Sequence, residues 1–162
     1  MRDVHVTGSC VVPAGADLAS LRFGRKPPRL ARMDRLCALA LAAAEGALAD
    51  AALDPSAADF IDGARLAVVV GTRFGCHATN EAYYRGLLAE GVRGASPRLF
   101  AYTLPSSPLG EITIHLGARG PAETITSGRQ AGIEAVLRAA RLCDEGRADV
   151  AIAVAVEVGG GT

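Results

Sequence analysis

Along the chain, apolar and polar positions fall into stretches of two periods. Val4-His5-Val6-Thr7-Gly8-Ser9-Cys10-Val11-Val12 starts by alternating and stops at Pro13, which predicts a first strand. In residues 33–53, Leu36, Leu39, Ala40, Ala43, Ala47, Leu48 and Ala51 recur at helical spacing. Asp34 stands near the start and Asp54-Pro55 ends the run. Arg65–Thr72 is continuously apolar through Leu66-Ala67-Val68-Val69-Val70, too short for a helix, and predicts a strand covered on both faces. Residues 76–90 read as a second helix, 91–107 as a long loop with Pro97 and Pro105, and 108–116 as a short third helix. Thr124-Ile125-Thr126 is β-branched and predicts a strand. Ser127-Gly128 breaks it, and a helix follows from Ala131 to about Asp144 with Gly146 behind it. Residues 148–158 predict a last buried strand.

The order β-α-β-α-α-β-α-β with apolar strands predicts an α/β domain over 1–162, a mostly parallel sheet with helices on both faces. Residues 13–32 and 57–63 read as connectors, and Pro27-Pro28 forbids a helix between the first strand and the first helix.

Composition narrows the function classes. Half of the 162 residues are hydrophobic and none is Trp, so the core is built of Ala, Val, Leu and Ile. Lys plus Arg equals Asp plus Glu at 17 each, which gives no reason to expect nucleic acid or an anionic membrane. Cys10, Cys37, Cys76 and Cys143 show no CxxC spacing, which fits free thiols better than disulfides or zinc, and no cofactor is called for. Met1–Val4 runs straight into the first strand without a leader pattern, and the apolar stretch near 36–44 is too short to span a bilayer. The expectation is a cytoplasmic protein.

The strand–turn–helix at 120–135 is the most informative stretch. A sharp turn between strand and helix presents its apex residue to a site beside the free amides of a helix N-terminus. Here the turn is Ser127, Gly128, Arg129 and Gln130, and its apex is Arg129, which is never deprotonated at working pH. Arg129 reads as a solvent-facing residue or as an anion binder at the helix start, with Glu134 available as a plain ion-pair partner. Adjacent Cys76-His77 cannot face each other as nucleophile and base. His115 in an apolar helix reads as a satisfied structural histidine, and Cys143 as a small core residue. The basic run Arg22, Arg25, Lys26, Arg29 and Arg32 is a solvated loop or a docking patch for an acidic protein.

Four segments together resemble the N-terminal half of a β-ketoacyl synthase, in the thiolase-like superfamily. They are Met33-Asp34-Arg35-Leu36 with the helix to Leu53; Val68-Val69-Val70-Gly71-Thr72 with Gly75; Ser96-Pro97-Arg98-Leu99-Phe100 through Leu104-Pro105-Ser106 to Gly110-Glu111-Ile112, with Ser106 where the family has Asn; and Leu116-Gly117, Gly120-Pro121 and Thr124-Ile125 before the turn. The resemblance covers about 33–158 and implies a thiolase-like half-fold. It places Arg129 where the family carries its nucleophilic cysteine, and the family's two histidines and lysine lie in a half beyond this chain. The implied role is a non-catalytic partner or scaffold in fatty-acid or polyketide-type biosynthesis. It would form a homodimer or a heteromer with a condensing enzyme, and meet an acyl carrier protein through the basic run. Half of such a fold leaves an apolar helix layer exposed, to be covered by a second half or by strand pairing near Thr124–Thr126. The alternatives are a condensing or acyl-transfer enzyme completed by a second chain or using another nucleophile, and a binding module with a carboxylate or acyl ligand at Arg129.

Overall fold

The computed structural model describes residues 3–13, 15–24, 26–57 and 60–159. Helix α1 (Arg35–Asp50) starts where Asp34, its N-cap, accepts the Leu36 amide at 2.8 Å. Strand β1 (Leu66–Gly71) is buried throughout, as its continuous apolar run requires. Helix α2 (His77–Glu90) follows a turn at Gly75, whose amide donates to the Thr72 hydroxyl. The stretch expected to be a loop contains helix α3 (Pro97–Phe100). Ser96 accepts the Leu99 amide and proline occupies the first turn, so Ser-Pro here is a helix start. Helix α4 (Ser107–Leu116), strand β2 (Ala122–Ile125), helix α5 (Ala131–Asp144) and strand β3 (Val150–Ala155) complete the order.

The sheet among the described residues is parallel, in the order β2-β1-β3. Its register places Gly71 beside both Ile125 and Ala155, so the three strands end level and their C-terminal loops converge. Helices cover both faces. Cys37, Leu41 and Leu48 of α1 and Ile112 of α4 pack on Val68 and Val70, while Ala135, Ala139 and Leu142 of α5 pack on Ala67 and Val69. The alternation of side chains along β1 thus splits one apolar run between two cores. No helix among the described residues is long and apolar enough to cross a membrane.

One expected element is absent. Residues 4–12 form no strand. Both edges of β1 are occupied by β2 and β3. The segment is instead drawn along the end of α1, where the Ser9 amide donates to Asp50 at 2.8 Å and Gly8 lies against the backbone of Ala47 and Ala51. Val4, Val6 and Val11 stay open to solvent, the last two nearly fully. A cleft of about 1020 Å³ separates this segment from the outer edge of β3.

Two polar pairs tie the layers together. His115 on α4 and Glu45 on α1, both nearly buried, meet at 2.6 Å, and the second Glu45 oxygen takes the Gly24 amide at 2.8 Å. This satisfies a carboxylate that burial would otherwise penalise. On the other face, the Arg138 guanidinium of α5 forks onto Glu123 of β2 with two bonds of 2.7 Å. That bond, outweighing the opposing effect of burial, holds the Glu123 carboxyl below the ordinary glutamate value of 4.5. A lowered folded-state value contributes stability above pH 4.5 that is lost as pH falls through the folded value. Arg138→Ala is therefore expected to lower the urea midpoint at pH 7 and to converge with the parent protein on acidification below that range. A gap that stays constant with pH would show that the pair contributes nothing through titration.

Candidate functional site

The three loops that leave the strand ends form the site. After β2, Thr126 and Ser127 lead to Gly128, whose φ of +79° lies in the left-handed region that a side chain would strain. Residues Gly128–Gln130 make one 3₁₀ turn, and α5 starts at Ala131 with no side-chain cap from Gln130. Ser127, Arg129 and Gln130 are exposed and Gly128 is half-buried. The sequence thus placed the strand, the turn and the helix correctly, with Arg129 at the turn facing solvent. The expected Arg129–Glu134 ion pair does not form among the described residues. Arg129 belongs to the 3₁₀ turn while Glu134 lies on α5 five residues on, outside the spacing of helical neighbours.

Close packing brings this turn over the end of β1. Gly71 faces the Ala131 carbonyl so closely that a Cβ there would stand 2.2 Å from its oxygen. Around this contact lies a shallow cavity of about 390 Å³, lined by Gly71, Arg73, Arg129, Gly132 and Glu157 among others. Glu157, just beyond β3, organises its rim. Its carboxylate accepts the Thr72 hydroxyl at 3.0 Å, the Arg73 amide, and the Phe74 amide at 3.4 Å. The Arg73 guanidinium lies over the Phe74 ring, 4.4 Å from its centroid. The sequence reading missed Glu157 and Thr72. The available signal was a carboxylate at the exit of a buried strand, level with a glycine-bounded turn.

The remaining candidates lie apart from one another. Arg22, Lys26, Arg29 and Arg32 are all exposed on the connector before α1; Arg25 lies outside the described residues. Cys143 is half-buried and Cys10 exposed. His77 is exposed and its ring lies 6.5 Å from that of Phe74, whereas the Cys76 thiol turns inward to the Leu104 carbonyl at 3.4 Å, so the neighbours do diverge. Cys37 and Cys76, distant in sequence, are brought together in the core. Their hydrogen bond holds the Cys76 thiol below its usual value and, with burial, pushes the Cys37 thiol far up.

The profile of the β-ketoacyl synthase N-terminal domain matches residues 2–161. The chain belongs to this family. The tetracenomycin polyketide synthase ketoacyl synthase alpha subunit of Streptomyces glaucescens is 32% identical over 147 residues, 87% of this chain and 34% of that protein. The 3-oxoacyl-(acyl-carrier-protein) synthase 2 of Staphylococcus aureus is 32% identical over 123 residues, 75% of this chain and 29% of that protein. Among solved structures, a type II polyketide ketosynthase in complex with its acyl-carrier protein superposes with a TM-score of 0.78 at 25% identity. It covers 97% of this chain and 42% of that one. The ishigamide ketosynthase/chain length factor superposes with a TM-score of 0.65 at 30% identity, over 83% of this chain and 36% of that one. The chain therefore spans about a third of the length of the curated relatives it matches. The strand–turn–helix and the two helical layers are the ketosynthase N-terminal half-fold, and the chain is a homologue of the ketosynthase N-terminal domain.

Proposed function

We propose that the chain is a non-catalytic member of this family that acts as a partner or scaffold in fatty-acid or polyketide-type synthesis. The observation that carries the proposal is Arg129 at the exposed turn between β2 and α5. Condensing chemistry needs a thiolate there to take an acyl group from a carrier thioester, and a guanidinium cannot form that bond. The second reading, acyl transfer through another nucleophile, finds its best support in the lowered Cys76 thiol. Against it, Cys76 is only 3% exposed, so its sulfur is closed to a carrier-borne thioester. The test is incubation with an acetyl or malonyl thioester followed by intact-mass measurement and peptide mapping. The expected result is an unchanged mass. An acyl group on Cys76, or on any other side chain in stoichiometric yield, would overturn the proposal in favour of the enzyme.

A partner role fits two surfaces. The outer face of α5 carries Ile133, Val136 and Leu137, each more than half exposed, and β2 is an edge strand with one row of backbone groups open. The solved relatives include a ketosynthase with its chain length factor and a ketosynthase with its acyl-carrier protein, and the same two kinds of partner are proposed here. The exposed cations of the connector are the proposed carrier-protein contact. Reversing Arg22, Lys26, Arg29 and Arg32 to Glu is expected to weaken acyl-carrier binding at least about tenfold, with steep salt dependence in the parent protein. Binding unchanged in the variant would remove the connector from the interface.

A further inference from the structure

The geometry points to a thiophilic metal site, suited to Zn²⁺, formed by Asp34, Cys37 and Cys76. Spacing along the chain conceals it, because Cys37 lies in the first turn of α1 and Cys76 is the N-cap of α2. In the fold, the two sulfurs and a carboxylate oxygen of Asp34 all lie within 4.8 Å of one another. Tetrahedral zinc, with bonds of about 2.3 Å to sulfur and about 2.0 Å to oxygen, sets its ligands roughly 3.5–3.8 Å apart. The three groups thus reach bonding positions by closing at most about 1.3 Å.

The surroundings are those of a held ligand set. The carboxylate is fixed by two donors, the Leu36 amide on one oxygen at 2.8 Å and the Thr79 hydroxyl on the other. Ligating carboxylates are commonly oriented by such outer hydrogen bonds. Thr79 is itself buried and sits on α2 one turn beyond Cys76, so one helix supplies both a sulfur and the group that aims the carboxylate. The Leu104 carbonyl, which accepts from the Cys76 thiol at 3.4 Å, puts a neutral oxygen beside that sulfur. Two Zn–S bonds form, the thiol protons leave to solvent, and the carboxylate enters as it stands. The three anionic ligands leave a complex of net charge −1, which the positive N-terminal ends of α1 and α2 offset. This site is independent of the acyl-transfer question, since it requires nothing of Arg129.

The test uses the whole chain, reduced and freed of metal. Titration with Co²⁺ is expected to saturate at one equivalent, with thiolate-to-cobalt charge-transfer absorption and the intense visible bands of a tetrahedral site. Zn²⁺ should then displace the cobalt and raise Tm. Cys37→Ala with Cys76→Ala should abolish the absorption, Cys10→Ala with Cys143→Ala should leave it intact, and Thr79→Val should weaken zinc roughly 10- to 100-fold. Where the double alanine variant does not fold, Cys37→Ser keeps the size and a polar partner for Cys76 and takes its place. The proposal is overturned if the parent chain shows no thiolate absorption, or if the absorption persists without Cys37 and Cys76. It is equally overturned if the chain is isolated from the cell with Cys37 and Cys76 joined as a disulfide.

Discussion

Valine at Gly71 is expected to cost about 3 kcal/mol or more, a large part of a stability that for a domain is about 5–15 kcal/mol in all. The reason is local and severe. A Cβ at this position would stand 2.2 Å from the Ala131 oxygen and 2.9 Å from the Gly132 nitrogen, both backbone atoms that cannot rotate aside. Relief requires α5 to lift from the end of β1, which would carry Arg129 and the rim of the cavity with it. Gly110→Ala is the control. It lies within α4 with nothing inside 4 Å of its added carbon, and alanine there is expected to gain about 0.5–1 kcal/mol. Urea denaturation of the two variants decides the matter. Equal midpoints would show that the β1–α5 approach is slack and that the turn is not held from below.

Most of the fold was legible because its elements differ in period. The run at 66–70 is too apolar for a half-buried strand and too short for a helix. The heptad-like spacing of leucine and alanine at 36–51 has no other reading. The failure at 4–12 has a physical cause. Alternation tells that a segment can pair but not that it does: β1 is flanked by β2 and β3, and the segment is fastened to the end of α1 rather than to an outer edge of the sheet. Gly8 and Ser9, which fasten that segment to α1, gave no periodic signal. At the site, Gly128 and Arg129 were legible as a turn and its apex. Glu157 and the Cys37–Cys76 pair were not, since each depends on distant segments meeting in space.

Charge on the outer face of α5 is expected to have the second large effect, on assembly rather than on folding. The helix divides sharply. Ala131, Ala135, Ala139 and Leu142 are buried against the sheet, whereas Ile133, Val136 and Leu137 are 68%, 51% and 55% exposed. Three large apolar side chains at positions i, i+3 and i+4 form one patch, the pattern of a covered face with its cover removed. Ile133→Glu with Leu137→Glu should weaken association about 100-fold or more, because a central apolar cluster carries most of the energy of an interface. Folding stability should change by less than about 1 kcal/mol, since the positions are already exposed. Assembly that survives both substitutions would assign the interface to the edge of β2 instead.

The most direct test of a partner role is the absolute mass of the purified chain, by light scattering on a sizing column. A protein that leaves the α5 face to be covered by a second body is predicted to run above its 16.6 kDa single-chain mass, as a dimer or larger species, and Ile133→Glu with Leu137→Glu should return it to one chain. A stable, monodisperse 16.6 kDa particle in the parent protein, unchanged by concentration, would contradict the account. It would mean that the exposed apolar helix needs no cover in the chain alone and that the chain does not work by self-association.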